Sequence, residues 1–247
     1  MTAGSIIAII IFLFIIVFLI YYFFPQGVPT GPTYYSTKAL RIEVLNFNST
    51  FNKQEEKTFK VNLTNIWKYN VDNLDIYVKL SPDWKVNNQN AEKVKVASIN
   101  SLTPNSYYQL EISLKAPNVN LNYPFNIIAN YTTNTKLYAL LSFSKEKGGV
   151  LEKKSDGIVE ISDIKTNFSD YGKVLPINIS LKYDDSKYSI VNIREETAKL
   201  NDCKFLEKEK IFSCNINVAT ESTIAIGLDI RFMVVQEVLF SSNLKIV

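Results

Sequence analysis

One apolar segment near the N-terminus limits what this chain can be more than any other feature does. Residues 5–24 read SIIAIIIFLFIIVFLIYYFF and contain no charge, no glycine and no proline. A helix of this length rises about 1.5 Å per residue and is roughly 30 Å long, which matches the hydrocarbon thickness of a bilayer. Tyr21 and Tyr22 stand where such a helix would meet the headgroups, and Pro25 would end it. The sequence therefore predicts a transmembrane helix within residues 1–24.

An uncleaved signal-anchor fits this segment better than two alternatives, a cleaved signal peptide and a buried core helix. A cleaved signal peptide has basic residues before an apolar run of about 7–15 residues and a small-residue cleavage site. Here no Lys or Arg precedes Ile6, and aromatic residues follow the run. A buried core helix would normally be shorter and carry some polar residues. The expected location is the cell membrane, single-pass, with membrane lipid contacted by residues 5–24. Too few basic residues flank the segment to orient it.

Beyond the anchor, the chain reads as β-structure in two series of short strands. Residues 25–37 hold three prolines and two glycines and predict an extended linker. Residues 38–146 contain runs that alternate apolar and polar residues, which predicts a first β-sandwich. The charged, glycine-containing stretch 147–156 predicts a second linker, and residues 157–247 a second sandwich. The predicted fold class is all-β: two tandem immunoglobulin-like β-sandwiches behind a single N-terminal transmembrane α-helix.

Two places in this pattern suggest turns inside long β-runs. Asn134-Thr135 separates a predicted strand over 123–133 from one over 135–144. The run 222–238 is long enough to be two strands, with a tight turn near Phe232.

Cys203 and Cys214 are the only cysteines, and they fall in one hairpin register. With Lys208-Glu209 as the turn, Leu206 faces Ile211, Phe205 faces Phe212, and the two cysteines face each other. Directly opposed residues have Cβ atoms about 4.5–5.5 Å apart, close enough for a bridge after a small adjustment. A disulfide indicates an oxidising, extracytoplasmic compartment. Two reduced, buried thiols are the alternative.

Five Asn-x-Ser/Thr triplets are candidate glycosylation sites in an extracellular protein. They are Asn48, Asn62, Asn130, Asn167 and Asn178. Together with the disulfide, they favour C-terminal domains that lie outside the cell.

The composition argues against most catalytic and nucleic-acid-binding classes. Histidine is absent, which excludes Ser-His-Asp and Cys-His catalysis and removes the commonest zinc ligand. The net charge of +3 is small, and Lys alternates with Glu and Asp, so nucleic acid is not an expected partner. No catalytic residue, cofactor or metal site is predicted. Asp184-Asp185-Ser186, which could offer oxygen ligands to Ca²⁺, is more typical of a turn.

The first series of strands carries a set of corner and turn residues that resembles a known family. An Asn-x-x-x-x-Asn turn (Asn65, Asn70) is followed by a Pro-x-Trp step (Pro82, Trp84) and a Leu-x-Pro corner (Leu102, Pro104). A strand ends at Ala116-Pro117, and Tyr123 to Ala129 begins another. Residues 39–144 are similar to the NPCBM-associated and related S-layer-type immunoglobulin-like modules of prokaryotic, especially archaeal, surface proteins. The resemblance implies a β-sandwich on a cell surface, without implying a particular ligand.

Three functions remain open at this point. The leading hypothesis is a membrane-anchored structural or adhesion protein of a cell envelope that binds a surface layer or another envelope protein through edge strands or end loops. A subunit or stator-like accessory protein of an archaeal type IV pilus-like or archaellum filament is the alternative, and either protein could be a homo-oligomer or filament. An enzyme or solute receptor is the third, and the expectation is that the chain is not an enzyme.

Overall fold

The computed structural model describes residues 39–119, 122–239 and 244–246, together with the backbone of residues 33–36. The predicted transmembrane helix at 5–24 and most of the predicted linker at 25–37 lie outside these residues. Within the described part the protein is all-β, and no helix there is long and apolar enough to span a membrane. The chain divides after Thr33, and Tyr34–Val247 form one compact unit.

Four sheets make up this unit. The base sheet has the order β1-β2-β4-β8-β6 and the long sheet the order β14-β17-β10-β5-β7, with β11 also paired to β10. The tip sheet has the order β12-β13-β16-β15, and the closing sheet the order β3-β18-β9.

The strand bounds are as follows. The base sheet contains β1 Thr33–Ser36, β2 Leu40–Leu45, β4 Glu56–Asn65, β6 Lys85–Val86 and β8 Tyr107–Lys115. The long sheet contains β5 Val71–Lys79, β7 Lys93–Leu102, β10 Asn126–Phe143, β11 Gly149–Ser155, β14 Tyr188–Glu195 and β17 Ser222–Leu239. The tip sheet contains β12 Glu160–Lys165, β13 Lys173–Lys182, β15 Leu200–Leu206 and β16 Ile211–Val218, and the closing sheet β3 Thr50–Phe51, β9 Asn122–Tyr123 and β18 Leu244–Ile246.

The central element is an antiparallel ladder between β10 and β17, each 18 residues long. The register is continuous from Asn126 opposite Leu239 to Phe143 opposite Ser222. Every odd-numbered residue of β10 from Ile127 to Phe143 is buried, so one face of the strand points into the core along its whole length. At about 3.4 Å per residue this ladder is roughly 60 Å long.

The base and tip sheets cover the same buried face of the long sheet at its two ends. Near the base, Gln236 of β17 donates a hydrogen bond to the Leu40 carbonyl of β2 at 3.4 Å. Near the tip, the Phe143 ring at the end of β10 lies 5.6 Å from Phe168 in the β12–β13 loop. The buried apolar residues of both ends form one cluster. The layering is therefore sandwich-like, with one sheet common to both halves.

This arrangement differs from the predicted division into two domains at residues 147–156. That stretch contains β11, which pairs with β10 over Leu137–Ser142. The C-terminal β18 pairs with β3 and β9, which belong to the first half of the sequence. Each half thus depends on strands from the other, because β10 and β17 come from different halves and pair with each other along their whole length.

Neither of the predicted turns inside the long runs is present. Asn134 and Thr135 lie within β10, opposite Arg231 and Ile230, and Phe232 lies within β17. Both predictions were wrong because turn propensity is local. The β-branched neighbours Thr133 and Thr135 and the pairing with β17 hold Asn134 extended.

A shared ladder predicts that the two halves unfold together. Ile177 of β13 is fully buried in the tip sheet, whereas both tryptophans, Trp67 and Trp84, lie in the base half. Ile177→Ala should cost about 2–5 kcal/mol of unfolding free energy. We expect the loss to shift the denaturation midpoint measured by tryptophan fluorescence of the full chain in detergent.

The matched control is Asn217→Ala, an exposed position of the same sheet, which should change the free energy of unfolding by less than about 0.5 kcal/mol. If Ile177→Ala lowered the midpoint by circular dichroism while the fluorescence midpoint stayed in place, the halves would be independent domains.

Candidate functional site

A polar cluster fills the stretch of β10 between Thr132 and Leu137, where the strand lacks a neighbour on one side. Pairing of β10 with β5 ends at Thr132, and pairing with β11 begins at Leu137. Between them, the Trp67 indole donates to the Asn134 carbonyl at 2.8 Å, and the Lys136 amide donates to the Asp156 carboxylate at 3.1 Å. These side chains satisfy backbone groups that a strand would otherwise satisfy. We call Trp67, Tyr69, Asn134, Lys136 and Asp156 the waist cluster.

Asn65 positions the loop that supplies two members of the waist cluster. It is fully buried at the end of β4, and its amide donates to the carbonyls of Leu102 at 2.7 Å and Tyr69 at 2.9 Å. Its Oδ1 accepts the Trp67 amide N–H at 2.9 Å. Both N–H groups and the oxygen of the buried Asn65 side chain are thus hydrogen-bonded, and these three bonds hold the loop in place. In the sequence, only the family resemblance had pointed to Asn65.

Asp156 is the charged centre of the waist cluster. Its carboxylate accepts hydrogen bonds from the Tyr69 hydroxyl at 2.6 Å and from the ammonium group of Lys68. Burial opposes ionisation, but the hydrogen bonds from Lys68, Tyr69 and the Lys136 amide outweigh it and hold the pKa of Asp156 below its usual value. Burial, followed by the bond to Asp156, raises the pKa of Tyr69 well above its usual value. The cluster thus holds one paired carboxylate.

The contacts of the waist cluster hold separate elements of the fold together. Lys136 also pairs with Glu196, which lies at the end of β14, and the amide of Asn134 donates to Asp229 of β17 at 3.0 Å. Each charged group has a partner, and the partners come from both halves of the sequence. Among the described residues, no three His, Cys, Asp or Glu side chains cluster in a way that could hold a metal ion. Asp184 instead caps its own turn by accepting from the Ser186 amide at 3.1 Å.

The predicted hairpin and its disulfide are confirmed. Leu206 lies opposite Ile211 and Phe205 opposite Phe212, as predicted. Cys203 and Cys214 are bridged, with their Cα atoms 4.1 Å apart. The register near the cysteines differs from the prediction, because Asp202 and Cys203 together oppose Cys214 in a bulge. Asp202 takes a positive φ of 50° there, which a short polar side chain tolerates.

A groove of about 240 Å³ opens beside the disulfide, between β14 and β15. It is lined by Ile190, Val191, Asn192, Ile193, Cys203, Phe205 and Phe212. A second recess of about 300 Å³ near the base is lined by Lys79, Leu80, Ser81, Pro82, Glu92, Tyr123, Pro124 and Asn126.

Every edge strand of the long and tip sheets carries a β-bulge. The extra residues are Val96 in β7, Leu151 in β11, Ser162 in β12, Val191 in β14 and one residue of the Asp202-Cys203 pair in β15. A bulge interrupts the ladder and twists the strand, so an edge that carries one is a poor template for a further strand. The base sheet ends in β6, which is only two residues long. Edge pairing, one of the two contact modes expected from the sequence, is therefore disfavoured at these edges.

The five candidate glycosylation sites fall into two groups. Asn48 and Asn167 are exposed in loops, the first between β2 and β3 and the second between β12 and β13. Asn62, Asn130 and Asn178 lie inside β4, β10 and β13 and are only partly exposed.

Comparison with known proteins assigns no family. No family model and no curated protein matches the chain. The C-terminal globular domain of an oligosaccharyltransferase from Pyrococcus abyssi is 10% identical, with 93% of this chain and 57% of that chain covered and a TM-score of 0.28. Spo0M, a sporulation control protein from Bacillus subtilis, is 6% identical over 77% of this chain and 90% of that one, with a TM-score of 0.24. At these TM-scores the similarities carry no argument about function.

Removing the Asp156 carboxylate should weaken the waist. Asp156→Asn removes the charge that Lys68 and Tyr69 bind, and we expect a loss of about 1–3 kcal/mol of unfolding free energy at pH 7. Because the pKa of Asp156 is lowered on folding, its contribution is present above the unfolded value of 3.8 and is lost as the pH falls through the folded value. Denaturation curves of both proteins between about pH 2 and pH 7 should therefore converge at the acid end. A difference independent of pH would contradict this, and Asp163→Asn, an exposed carboxylate of β12, is the control.

The disulfide should stabilise the hairpin by restricting the unfolded chain. Its cysteines are 11 residues apart, for which the loop-closure relation gives about 3 kcal/mol. The double variant Cys203→Ala, Cys214→Ala should lose roughly that amount in denaturant titrations under non-reducing conditions. Adding a reductant should lower the stability of the unaltered protein and leave the double variant unchanged. A reductant effect on both would place the cause elsewhere.

Proposed function

We propose that this chain is a membrane-anchored structural or adhesion protein of a cell envelope, with its β-body outside the membrane. The observation that carries the proposal is the unbroken β10–β17 ladder, which joins base and tip halves into one body with a ladder roughly 60 Å long. Because no break interrupts this ladder, such a body would hold its two ends at a fixed separation. That property suits a spacer or adhesion element better than an enzyme, which needs a convergent site.

Two independent features support this placement, one for the anchor and the other for the exterior side. The apolar segment 5–24 has the length and composition of a membrane anchor. The Cys203–Cys214 disulfide would persist in an oxidising compartment and would be reduced in most cytosols. In this proposal each half corresponds to an immunoglobulin-like sandwich, in keeping with the resemblance of residues 39–144 to S-layer-type modules.

The partner would be a surface layer or another envelope protein, contacted through sheet faces and end loops. The bulged edges argue against strand addition, so contacts fall to the broad faces and the loops. The outer face of the long sheet exposes apolar side chains at Met233, Val235 and Leu239 of β17. Met233 and Val235 are adjacent on that face, and exposed apolar neighbours are more typical of a contact surface than of a solvated one.

Protease treatment of intact cells that make the full-length protein tests this proposal. We expect an added protease to release the β-body as a soluble fragment by cutting in the 25–37 region, while a fragment with residues 5–24 resists carbonate extraction. A chain without residues 5–24 should be lost from the membrane fraction, and a cytoplasmic protein should stay intact as the control. Protection of the body until the cells are permeabilised would overturn the proposal. Co-purification with filament subunits would instead favour the accessory role in a filament.

A further inference from the structure

Two of the five Asn-x-Ser/Thr triplets share a conformation that the other three lack. Asn48 Oδ1 accepts a hydrogen bond from the Thr50 amide at 2.9 Å, and Asn167 Oδ1 accepts one from the Ser169 amide at 3.3 Å. In both cases the donor is the hydroxyl residue of the same triplet. This is an Asx-turn, which folds the asparagine side chain back toward the residue two positions on. Both asparagines are exposed.

The remaining three triplets are held in extended strands. Asn62 Oδ1 accepts from the Gln109 side chain of the neighbouring strand at 2.8 Å. Asn130 lies between β5 and β17, and its Oδ1 is buried without a hydrogen-bond partner among the described residues. Asn178 lies in β13, between the neighbouring strands β12 and β16. An enzyme that binds the triplet would first have to separate each of these segments from its sheet.

We propose that Asn48 and Asn167 carry N-linked glycans and that the three strand asparagines do not. The co-reactant is an oligosaccharide carried on a polyprenyl phosphate. The asparagine Nδ2 forms a bond to the anomeric carbon of the sugar while the bond from that carbon to the phosphate oxygen breaks. The lipid phosphate leaves, and one amide proton passes to a base of the transferase. Nothing is oxidised or reduced.

The two sites lie at opposite ends of the β10–β17 ladder. Asn48 precedes β3, which pairs with the C-terminal strand β18 at the base. Asn167 precedes Phe168, whose ring contacts Phe143 at the tip end of β10. Glycans at these positions would cover the two ends and leave the faces of the sheets bare. The Asn167 amide also donates to Asp170 at 2.8 Å, an exposed bond that has to open during transfer.

This inference rests on the proposed function, because the donor and its transferase act outside the membrane. Its test uses the full-length protein isolated from its own membranes, with intact mass and site mapping by mass spectrometry. Thr50→Val and Ser169→Ala remove the hydroxyl of each loop triplet but keep the backbone N–H that holds the turn. Thr50→Ser and Ser169→Thr retain a hydroxyl. Thr64→Val, in the Asn62 triplet, is the matched strand control.

We expect Thr50→Val and Ser169→Ala each to lower the mass by one glycan, the double variant by two, and Thr64→Val by none. The conservative variants should keep both glycans. Glycan on Asn62, Asn130 or Asn178 at an occupancy equal to that of the loop sites would overturn the inference. A chain without sugar that external protease digests and that keeps its disulfide would also overturn it, and would leave the proposed function standing. A chain without sugar, protected from protease and with reduced thiols, would overturn both.

Discussion

The structure depends on the pairing of β10 with β17. The two strands are separated by almost 80 residues of sequence, yet they pair residue for residue over their whole length. Because alternate side chains point to opposite faces, a slip of one residue would move every buried side chain of β10 to the outer face. The buried row, which includes Tyr131, Leu137 and Phe143, therefore fixes the register. The base and tip sheets then have a single continuous surface to pack on.

In the middle of this ladder β10 lacks a neighbouring strand on one side, and the waist cluster supplies hydrogen bonds to its backbone there. The buried face of β10 becomes polar at Thr133 and Thr135, and the strand loses its neighbour on one side. Thr133 donates to the Asn70 carbonyl at 2.7 Å, and Trp67 and Asp156 take the places of strand backbone groups. Loops from both halves of the sequence thus converge on the same four residues of β10. Hydrogen bonds from these loops hold the centre of the body, although the buried Thr135 hydroxyl has no hydrogen-bond partner among the described residues.

The same architecture determines how the protein can meet a partner. An elongated body built from open sheets has several edges, and unprotected edges invite uncontrolled association. A bulge in each edge strand of the long and tip sheets reduces that risk, and the disulfide ties one of these bulges, at Cys203, to the adjacent inner strand. In the proposed function, contact with a partner would therefore fall to the faces and the end loops. The rigidity of the ladder would keep those surfaces at a fixed separation.

The sequence by itself determined the local elements. Period-two alternation predicted the all-β fold class, and the Lys208-Glu209 turn gave the correct pairing of Phe205 with Phe212 and linked the two cysteines. These features depend on neighbours in the chain, so the residues alone specify them. Only the tertiary structure decided that Asn134 and Phe232 lie inside long strands and that residues 149–155 pair with β10. Each of those outcomes depends on a partner strand distant in sequence, whose contribution outweighs the local turn propensity.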